Sequence, residues 1–127
     1  MKCVIDTSGW YAFIVEKDIQ HRRAADFLRS ESHQLIFIEP VFIESTALIQ
    51  SRQSKSLAVE SGILIRSLGI KQLTTDQLAD SWNLFKKTSA KISYVDCCVS
   101  VIAKELEYSV FGFDQHFTGI FNVKQVP

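Results

Sequence analysis

Short apolar runs along this chain alternate with longer segments in which apolar residues recur every three or four positions. The short runs predict strands at residues 3–5, 35–38, 70–73, 109–113 and 122–126. The longer segments predict helices at residues 10–15, 21–30, 41–52, 57–68, 75–87 and 94–107. Strands that alternate with helices are typical of a parallel sheet between two helical layers. The sequence therefore predicts an α/β fold, a three-layer α/β/α sandwich with a central parallel sheet of four to five strands.

Several residues mark the predicted ends of these helices. Pro40 is placed where proline suits the first turn of a helix, and Gly69 where glycine commonly ends one. Thr74 supplies an N-cap for the helix at 75–87. Ser93 and Asp96 have the spacing of a capping box, a hydroxyl residue followed three positions later by an acid. The helix that they open is small and apolar, so we expect it in the middle of the domain.

Large aromatic residues are interpreted as core. In the helix at 75–87, Leu78, Trp82 and Phe85 form an apolar stripe that is predicted to face inward. Trp10 and the phenylalanines are likewise interpreted as core residues, and the alternative is a platform on which nucleic-acid bases stack.

The length and composition predict one domain that spans residues 1–127. Its 127 residues, 46% of them hydrophobic, are enough to bury one core. Fourteen basic and fourteen acidic residues cancel, so the chain has no overall charge that would attract nucleic acid or a membrane. No apolar run reaches membrane-spanning length and the start does not resemble a signal peptide. The three cysteines lack the spacing of a zinc site and are interpreted as buried thiols. We therefore expect a cytoplasmic protein.

Four acidic residues are placed where the predicted topology brings them together. Asp6 follows the first strand and Asp114 follows the fourth, and the carboxyl ends of parallel strands share one edge of the sheet. Asp96 lies in the first turn of a helix, and helix starts line the same edge. Glu44 lies one turn into the helix that leaves the second strand, so its longer side chain can reach that edge. We expect these four carboxylates to converge.

Such a cluster needs a cation. Two carboxylates about 5 Å apart repel by about 3 kcal/mol at an effective dielectric constant of about 20. Hard oxygen ligands suit Mg²⁺ or Mn²⁺, which retain water and accept phosphate oxygens as further ligands. A site of this kind cleaves phosphodiesters by orienting and activating water and by neutralising charge on the leaving oxygen.

The chain resembles the PIN-domain nucleases, and within them the small VapC-type toxins. The resemblance extends over nearly the whole chain, and the segments that carry it are Val4 to Ser8, Glu39 to Glu44, Ser93 to Asp96 and Gly112 to Phe117. The resemblance implies a metal-dependent endoribonuclease whose acidic quartet is Asp6, Glu44, Asp96 and Asp114. It also implies that Thr7 or Ser8 helps to position the site, that the protein forms a homodimer, and that a small antitoxin protein binds over the groove.

Each acid has an alternative interpretation. Asp6 could be an ordinary helix N-cap, Asp96 could interact with the helix dipole, and Asp114 could only begin a turn. For Glu44 the rival is Glu39, which precedes a proline and is better suited to a capping role. We interpret the four together as metal ligands, because a shared site explains their common placement.

Other residues and functions remain open. His116, two positions after Asp114, is a candidate for substrate contact, although a histidine near a surface turn is commonly a solvated side chain. Phosphoryl transfer through an aspartyl phosphate is a rival enzyme class, but Thr7 and Ser8 stand where that chemistry often has a second acid. The remaining alternative is a PIN-like module that binds RNA or a partner protein without catalysis. Cleavage of single-stranded RNA separates this alternative from the nuclease.

Overall fold

The computed structural model describes all residues from Met1 to Pro127 and contains five strands and seven helices. The strands are β1 (Lys2–Ile5), β2 (Gln34–Ile38), β3 (Ile70–Lys71), β4 (Ser109–Phe111) and β5 (Gln125–Val126). The helices are α1 (Thr7–Ile14), α2 (His21–Ser30), α3 (Glu39–Arg52), α4 (Lys55–Leu68), α5 (Thr75–Lys87), α6 (Tyr94–Leu106) and α7 (His116–Gly119).

The five strands form one sheet in which every pairing is parallel, in the order β3-β2-β1-β4-β5. The chain moves outward from β1 through β2 to β3 and then returns to β4 on the other side of β1. In parallel sheets a crevice forms at the carboxyl ends of the strands where the order reverses in this way. That crevice lies between β1 and β4, whose residues Ile5 and Phe111 are register partners.

Alternate residues of β1 point into two separate cores, one on each face of the sheet. Cys3 and Ile5 pack in a cluster with residues of α1, α2 and α4. Val4 packs in a second cluster with residues of α6 and α7. All three side chains are fully buried, as expected for a central strand of a parallel sheet. The predicted three-layer architecture is confirmed.

A close approach at Gly9 holds α1 against the end of β4. A Cβ at this position would lie 2.5 Å from the backbone oxygen of Phe111, nearer than side chains tolerate. The backbone N–H of Asp6 donates to that same oxygen at 3.0 Å. The start of α1 is therefore fixed to the end of β4, and both border the crevice.

The predicted helix ends are mostly confirmed. Thr74 caps α5 through a capping box with Gln77, and Ser93 and Asp96 form the capping box of α6. Gly69 follows the last residue of α4, with a φ of 95° that favours glycine. The start of α1 was predicted too late, because the Asp6 side chain accepts from the Ser8 N–H and begins the helix at Thr7. The expected capping role of Glu39 is wrong, since Ile38 is the N-cap of α3 and no side chain caps that helix.

Three strands are shorter than predicted. β3 ends at Lys71. β4 ends at Phe111, because the N–H of Phe113 donates to the Ser8 hydroxyl instead of to a neighbouring strand. β5 begins only at Gln125, since Asn122 adopts a φ of 55° that is incompatible with an extended chain.

The inward orientation predicted for two residues of α5 is wrong. Leu78 and Trp82 are 41% and 47% exposed. The face of α5 that is buried instead carries Gln77 and Ser81, and Gln77 donates to Glu105 of α6 at 3.0 Å. A polar face can pack inward here because its hydrogen bonds are satisfied within the two helices.

Candidate metal centre

Asp6 stands at the base of the crevice, directly after β1. Its carboxylate accepts hydrogen bonds from the Ser8 N–H at 3.2 Å and from the Ser8 hydroxyl at 2.5 Å. The residue is only 2% exposed, and this burial raises the pKa of the carboxyl from 3.8 to about 7. The hydrogen bonds from Ser8 oppose the rise, whereas the nearby Asp96 and Asp114 add to it. Asp6 is thus an N-cap, as the alternative interpretation held, and also a buried acid beside other acids.

Ser8 links the ends of β1 and β4. Its hydroxyl donates to Asp6 and accepts the N–H of Phe113 at 2.9 Å. Gly112 leaves room for this contact, since a Cβ there would lie 3.0 Å from both the Asp6 Cβ and the Ser8 Oγ. The two bonds fix the orientation of the Asp6 carboxylate toward the crevice.

Asp96 enters the crevice from the first turn of α6. One carboxylate oxygen accepts the N–H of Ser93 at 3.1 Å, and the Asp96 N–H donates in return to the Ser93 hydroxyl at 3.0 Å. Burial raises the pKa of Asp96, and the charge of Asp114 adds to the rise. The bond from the Ser93 N–H and the proximity of His116 act in the opposite direction. The capping box therefore fixes Asp96 without neutralising it.

Glu44 reaches the crevice from the second turn of α3. Burial raises the pKa of its carboxyl, and the charge of Asp96 adds to the rise. The Thr7 hydroxyl lies close enough to Glu44 to lower that pKa in part. This hydroxyl is buried, yet it has no partner at hydrogen-bond geometry. Unlike Glu44, the rival Glu39 does not line the crevice.

Asp114 lies at the rim, in the turn between β4 and α7, and His116 is the first residue of α7. Asp114 accepts the His116 N–H at 3.0 Å, and its carboxylate lies 3.2 Å from the His116 Nε2. Asp114 therefore begins a turn, as the alternative interpretation held. It does not follow β4 directly, because Gly112 and Phe113 intervene.

The four acids converge on one cleft. This cleft of about 410 Å³ is lined by Asp6, Glu44, Asp96 and Asp114, together with Thr7 and Ser8. The charge of Asp96 raises the pKa values of Asp6 and Glu44, and the charge of Asp114 raises those of Asp6 and Asp96. The four carboxyl groups are therefore electrostatically coupled. Such a cluster is unfavourable unless some of its members are protonated or a cation is bound.

The sequence did not predict every residue that lines the cleft. Arg52, at the end of α3, places its guanidinium 5.8 Å from the centroid of the Tyr11 ring. Asp18 also lines the cleft, where its side chain accepts the Gln20 N–H at 2.8 Å. Neither residue belongs to a motif or a strand end, so no local pattern in the sequence identifies them.

The available donors fit a hard divalent cation. Carboxylate oxygens dominate the cleft, and Mg²⁺ and Mn²⁺ prefer such ligands. The Thr7 hydroxyl is a further oxygen in the same cleft. Buried polar groups normally have a hydrogen-bond partner, and this hydroxyl has none. A water bound to a cation would supply that partner.

The fold and the cleft together define a class, a three-layer α/β domain with an acidic site at the switch point of a parallel sheet. The model of the PIN domain family matches residues 3–120. The chain therefore belongs to the PIN domain family, a family of nucleases.

Solved structures give the same fold. VapC20 of Mycobacterium tuberculosis, described as a toxin that cleaves the sarcin-ricin loop, superposes with a TM-score of 0.84 at 20% identity, over 91% of this chain and 92% of VapC20. A chain of a toxin-antitoxin complex from Klebsiella pneumoniae superposes with a TM-score of 0.65 at 15% identity, over 93% of this chain and 92% of its own length. No curated protein sequence matches this chain.

Proposed function

We propose that this protein is a divalent-metal-dependent endoribonuclease that hydrolyses phosphodiester bonds in single-stranded or structured RNA. The observation that carries the proposal is the convergence of Asp6, Glu44, Asp96 and Asp114 on one cleft in a chain of the PIN domain family. These four residues would hold Mg²⁺ or Mn²⁺. The bound ion would lower the pKa of a water and neutralise charge on the phosphate.

The residues of the chain prepare the cleft for this chemistry. Ser8 and the capping box of α6 hold Asp6 and Asp96 in fixed orientations, so little reorganisation is needed when a cation enters. Without a cation the acids would repel a phosphate. RNA binding and metal binding are therefore expected to be coupled.

Substrate contacts are proposed for residues around the acids. Thr7 and Ser8 line the cleft, and His116 lies beside Asp114. Arg52 adds a guanidinium on the same cleft, where it can pair with a backbone phosphate of the RNA. The chain as a whole has no net positive charge to attract RNA, so Arg52 supplies positive charge locally at the cleft.

We further propose that the protein is the toxin of a toxin-antitoxin pair. The likeness in fold to VapC20 and to a chain of a toxin-antitoxin complex supports this role. On α4, Val59 and Ile63 are 49% and 64% exposed and stand one turn apart. We call this pair the α4 face and propose that a small antitoxin protein covers it.

A second apolar surface supports the proposed homodimer. Ile43 of α3 and Leu78 of α5 line one groove, and Trp82 follows Leu78 by one turn. All three are at least 41% exposed, and large apolar side chains grouped in this way are typical of interfaces. We call these residues the α5 face. The groove includes Glu44, so the proposed interface adjoins the acidic cleft.

The compartment in which the protein acts is also a proposal. No helix of the protein combines the length and the hydrophobicity that crossing a membrane requires. The three cysteines are buried and unpaired. We propose that the 127 residues act in the cytoplasm as a single PIN-like domain.

A cleavage assay on single-stranded RNA of mixed sequence tests the proposal. The wild type is expected to cut the RNA with Mn²⁺ or Mg²⁺ and not with EDTA. Glu44→Gln removes one proposed ligand and is expected to lower the rate at least about 100-fold, the loss typical of a group that stabilises transition-state charge. Glu60→Gln, an exposed acid on α4, is the matched control and should retain activity.

Three results would contradict the proposed nuclease. Cleavage that is equal in EDTA would show that no divalent ion is needed, and cleavage that is equal in the Glu44→Gln variant would show that the cleft is not the catalytic site. RNA binding without any cleavage would favour the alternative of a PIN-like module that only binds RNA or a partner.

A further inference from the structure

His116 is in direct contact with Asp114, one of the four acids of the cleft. Its Nε2 is 3.2 Å from a carboxylate oxygen of Asp114. One ligand atom from each of Asp96, Asp114 and His116 can be chosen so that all three lie within 4.8 Å of one another. The imidazole is therefore part of the acidic cluster itself.

These separations match the coordination shell of a divalent ion. Ligand atoms about 2.1 Å from an octahedral ion stand about 3.0 Å apart as neighbours and about 4.2 Å apart across the ion. The 3.2 Å between His116 and Asp114 is close to the spacing of neighbours. The three ligand atoms lie within 4.8 Å of one another, a span close to that of ligands on opposite sides of such an ion.

The fold holds the imidazole in this position. His116 is the first residue of α7, and the next residue, Phe117, is fully buried in the core beneath α6. The backbone N–H of His116 is also bound to Asp114 at 3.0 Å. Only side-chain rotation remains free, so little entropy would be lost when the imidazole binds an ion.

A separate feature points to a ligand at this place. The Thr7 hydroxyl is buried and unpaired, although Thr7 is only 6% exposed and lines the same cleft as Asp96 and Asp114. A hydration shell around an ion in the cleft would satisfy this oxygen.

We propose that His116 is a nitrogen ligand of the divalent ion, and that it makes the site prefer Mn²⁺ to Mg²⁺. The inference rests on the proposed metal site and names the ion that this site selects. Mg²⁺ takes oxygen ligands almost exclusively and retains several waters. An imidazole nitrogen is a softer ligand than a carboxylate oxygen, and Mn²⁺ is the first member of the transition series whose affinity for sites with nitrogen ligands rises from Mn²⁺ to Cu²⁺, so an imidazole beside two carboxylates favours Mn²⁺ over Mg²⁺.

Pulsed electron paramagnetic resonance of the Mn²⁺-loaded protein tests the nitrogen ligand directly. The electron spin echo is expected to show nitrogen-14 modulation typical of a coordinated imidazole. The chain has three histidines, so the source of the signal can be assigned by substitution. His116→Gln is expected to abolish the modulation. His33→Gln should retain it, because His33 precedes β2 at the opposite edge of the sheet.

Labelling tests the unmutated protein. Wild type grown with nitrogen-15 histidine should lose the nitrogen-14 modulation, so the result does not depend on whether a variant folds.

Calorimetry measures the preference of the site for Mn²⁺ over Mg²⁺. His116→Gln is expected to weaken Mn²⁺ binding at least about tenfold, which is the typical loss of metal affinity when a residue that orients metal ligands is removed. The change in Mg²⁺ binding is expected to be much smaller.

The outcomes separate this inference from the proposed function. Stoichiometric Mn²⁺ binding without nitrogen-14 modulation, or equal losses of Mn²⁺ and Mg²⁺ affinity in His116→Gln, would overturn the role of His116 and leave the nuclease intact. A wild-type protein that binds neither ion would overturn both.

Discussion

At Asp6 two opposing effects act on a single carboxyl group. Burial and the neighbouring Asp96 and Asp114 favour its neutral form and raise its pKa to about 7, whereas the hydrogen bonds from Ser8 favour the anion. A bound cation would also favour the anion, because it places an opposite charge directly beside the carboxylates. The protonation state of Asp6 should therefore depend on whether metal is bound.

We predict that the metal-free protein becomes more stable as the pH falls from about 8 to about 5. The pKa of Asp6 is raised on folding from 3.8 to about 7, so between these values the folded state holds a proton that the unfolded chain has lost. Each pH unit in this window contributes up to about 1.4 kcal/mol, and the contribution is lost as the pH rises through about 7. Urea unfolding in EDTA at several pH values measures it.

Two controls accompany this measurement. Asp6→Asn should weaken the dependence, since it removes one of the groups whose pKa is raised on folding. Mn²⁺ should raise the stability of the wild type most at high pH, where the carboxylates are charged. A metal-free wild type whose stability only declines as the pH falls over this window would contradict the clustering of the acids.

The sequence predicted the four acids because their placement follows from topology. A residue after a parallel strand, or in the first turn of the following helix, reaches the same edge whatever the details of packing. The bond between Ser8 and Phe113 could not be predicted, because it depends on the register of β1 against β4. Arg52 lies at the end of α3 and Asp18 lies in a turn, and the local sequence pattern does not predict where such segments lie relative to the cleft.

At the scale of elements, the start of α6 has two roles at one residue. Asp96 completes a capping box with Ser93, and it also contributes negative charge to the cleft. The first role stabilises the helix and the second destabilises the metal-free fold. Substitutions that separate charge from hydrogen bonding distinguish the two roles.

We predict that Asp96→Asn leaves the metal-free protein at least as stable as the wild type while it abolishes RNA cleavage. The asparagine retains an oxygen that can accept the Ser93 N–H, and it removes a repulsive charge. Asp96→Ala lacks that acceptor and should lose about 1 kcal/mol of stability. Urea unfolding in EDTA measures both, with Asp80→Asn on the exposed face of α5 as the control. A strong loss of stability in Asp96→Asn would indicate that capping is its main role.

Most elements could be predicted from the sequence, and the errors have local causes. The helix ends at Gly69, Thr74 and Ser93 were found because capping chemistry is local. The strand after residue 109 was predicted too long, since the apolar run continues while the chain already turns toward Ser8. Trp82 was placed in the core because periodicity identifies an apolar stripe but not what covers it.

At the scale of the whole molecule, two exposed apolar surfaces remain on the helical layers. The α4 face and the α5 face lie on different helices, so the proposed antitoxin and the proposed second copy need not compete for the same residues. The α5 face adjoins the acidic cleft through Glu44, which would bring the two cleavage sites of a dimer near their interface.

We predict that Trp82→Glu converts the proposed dimer to a monomer, because burying a carboxylate in an apolar interface is unfavourable. Size-exclusion chromatography with light scattering measures the mass. Ile63→Glu on the α4 face is the matched control and should remain dimeric. A Trp82→Glu variant as dimeric as the wild type would exclude the α5 face as the interface.

We have proposed that side chains from four distant parts of the chain surround one divalent ion. Anomalous X-ray diffraction from crystals soaked in Mn²⁺ would locate this ion, because the Mn²⁺ signal gives its position without reference to activity. We predict an anomalous peak within ligand distance of Asp6, Glu44, Asp96 and Asp114. A peak at another site, or an empty cleft in crystals saturated with Mn²⁺, would contradict the claim.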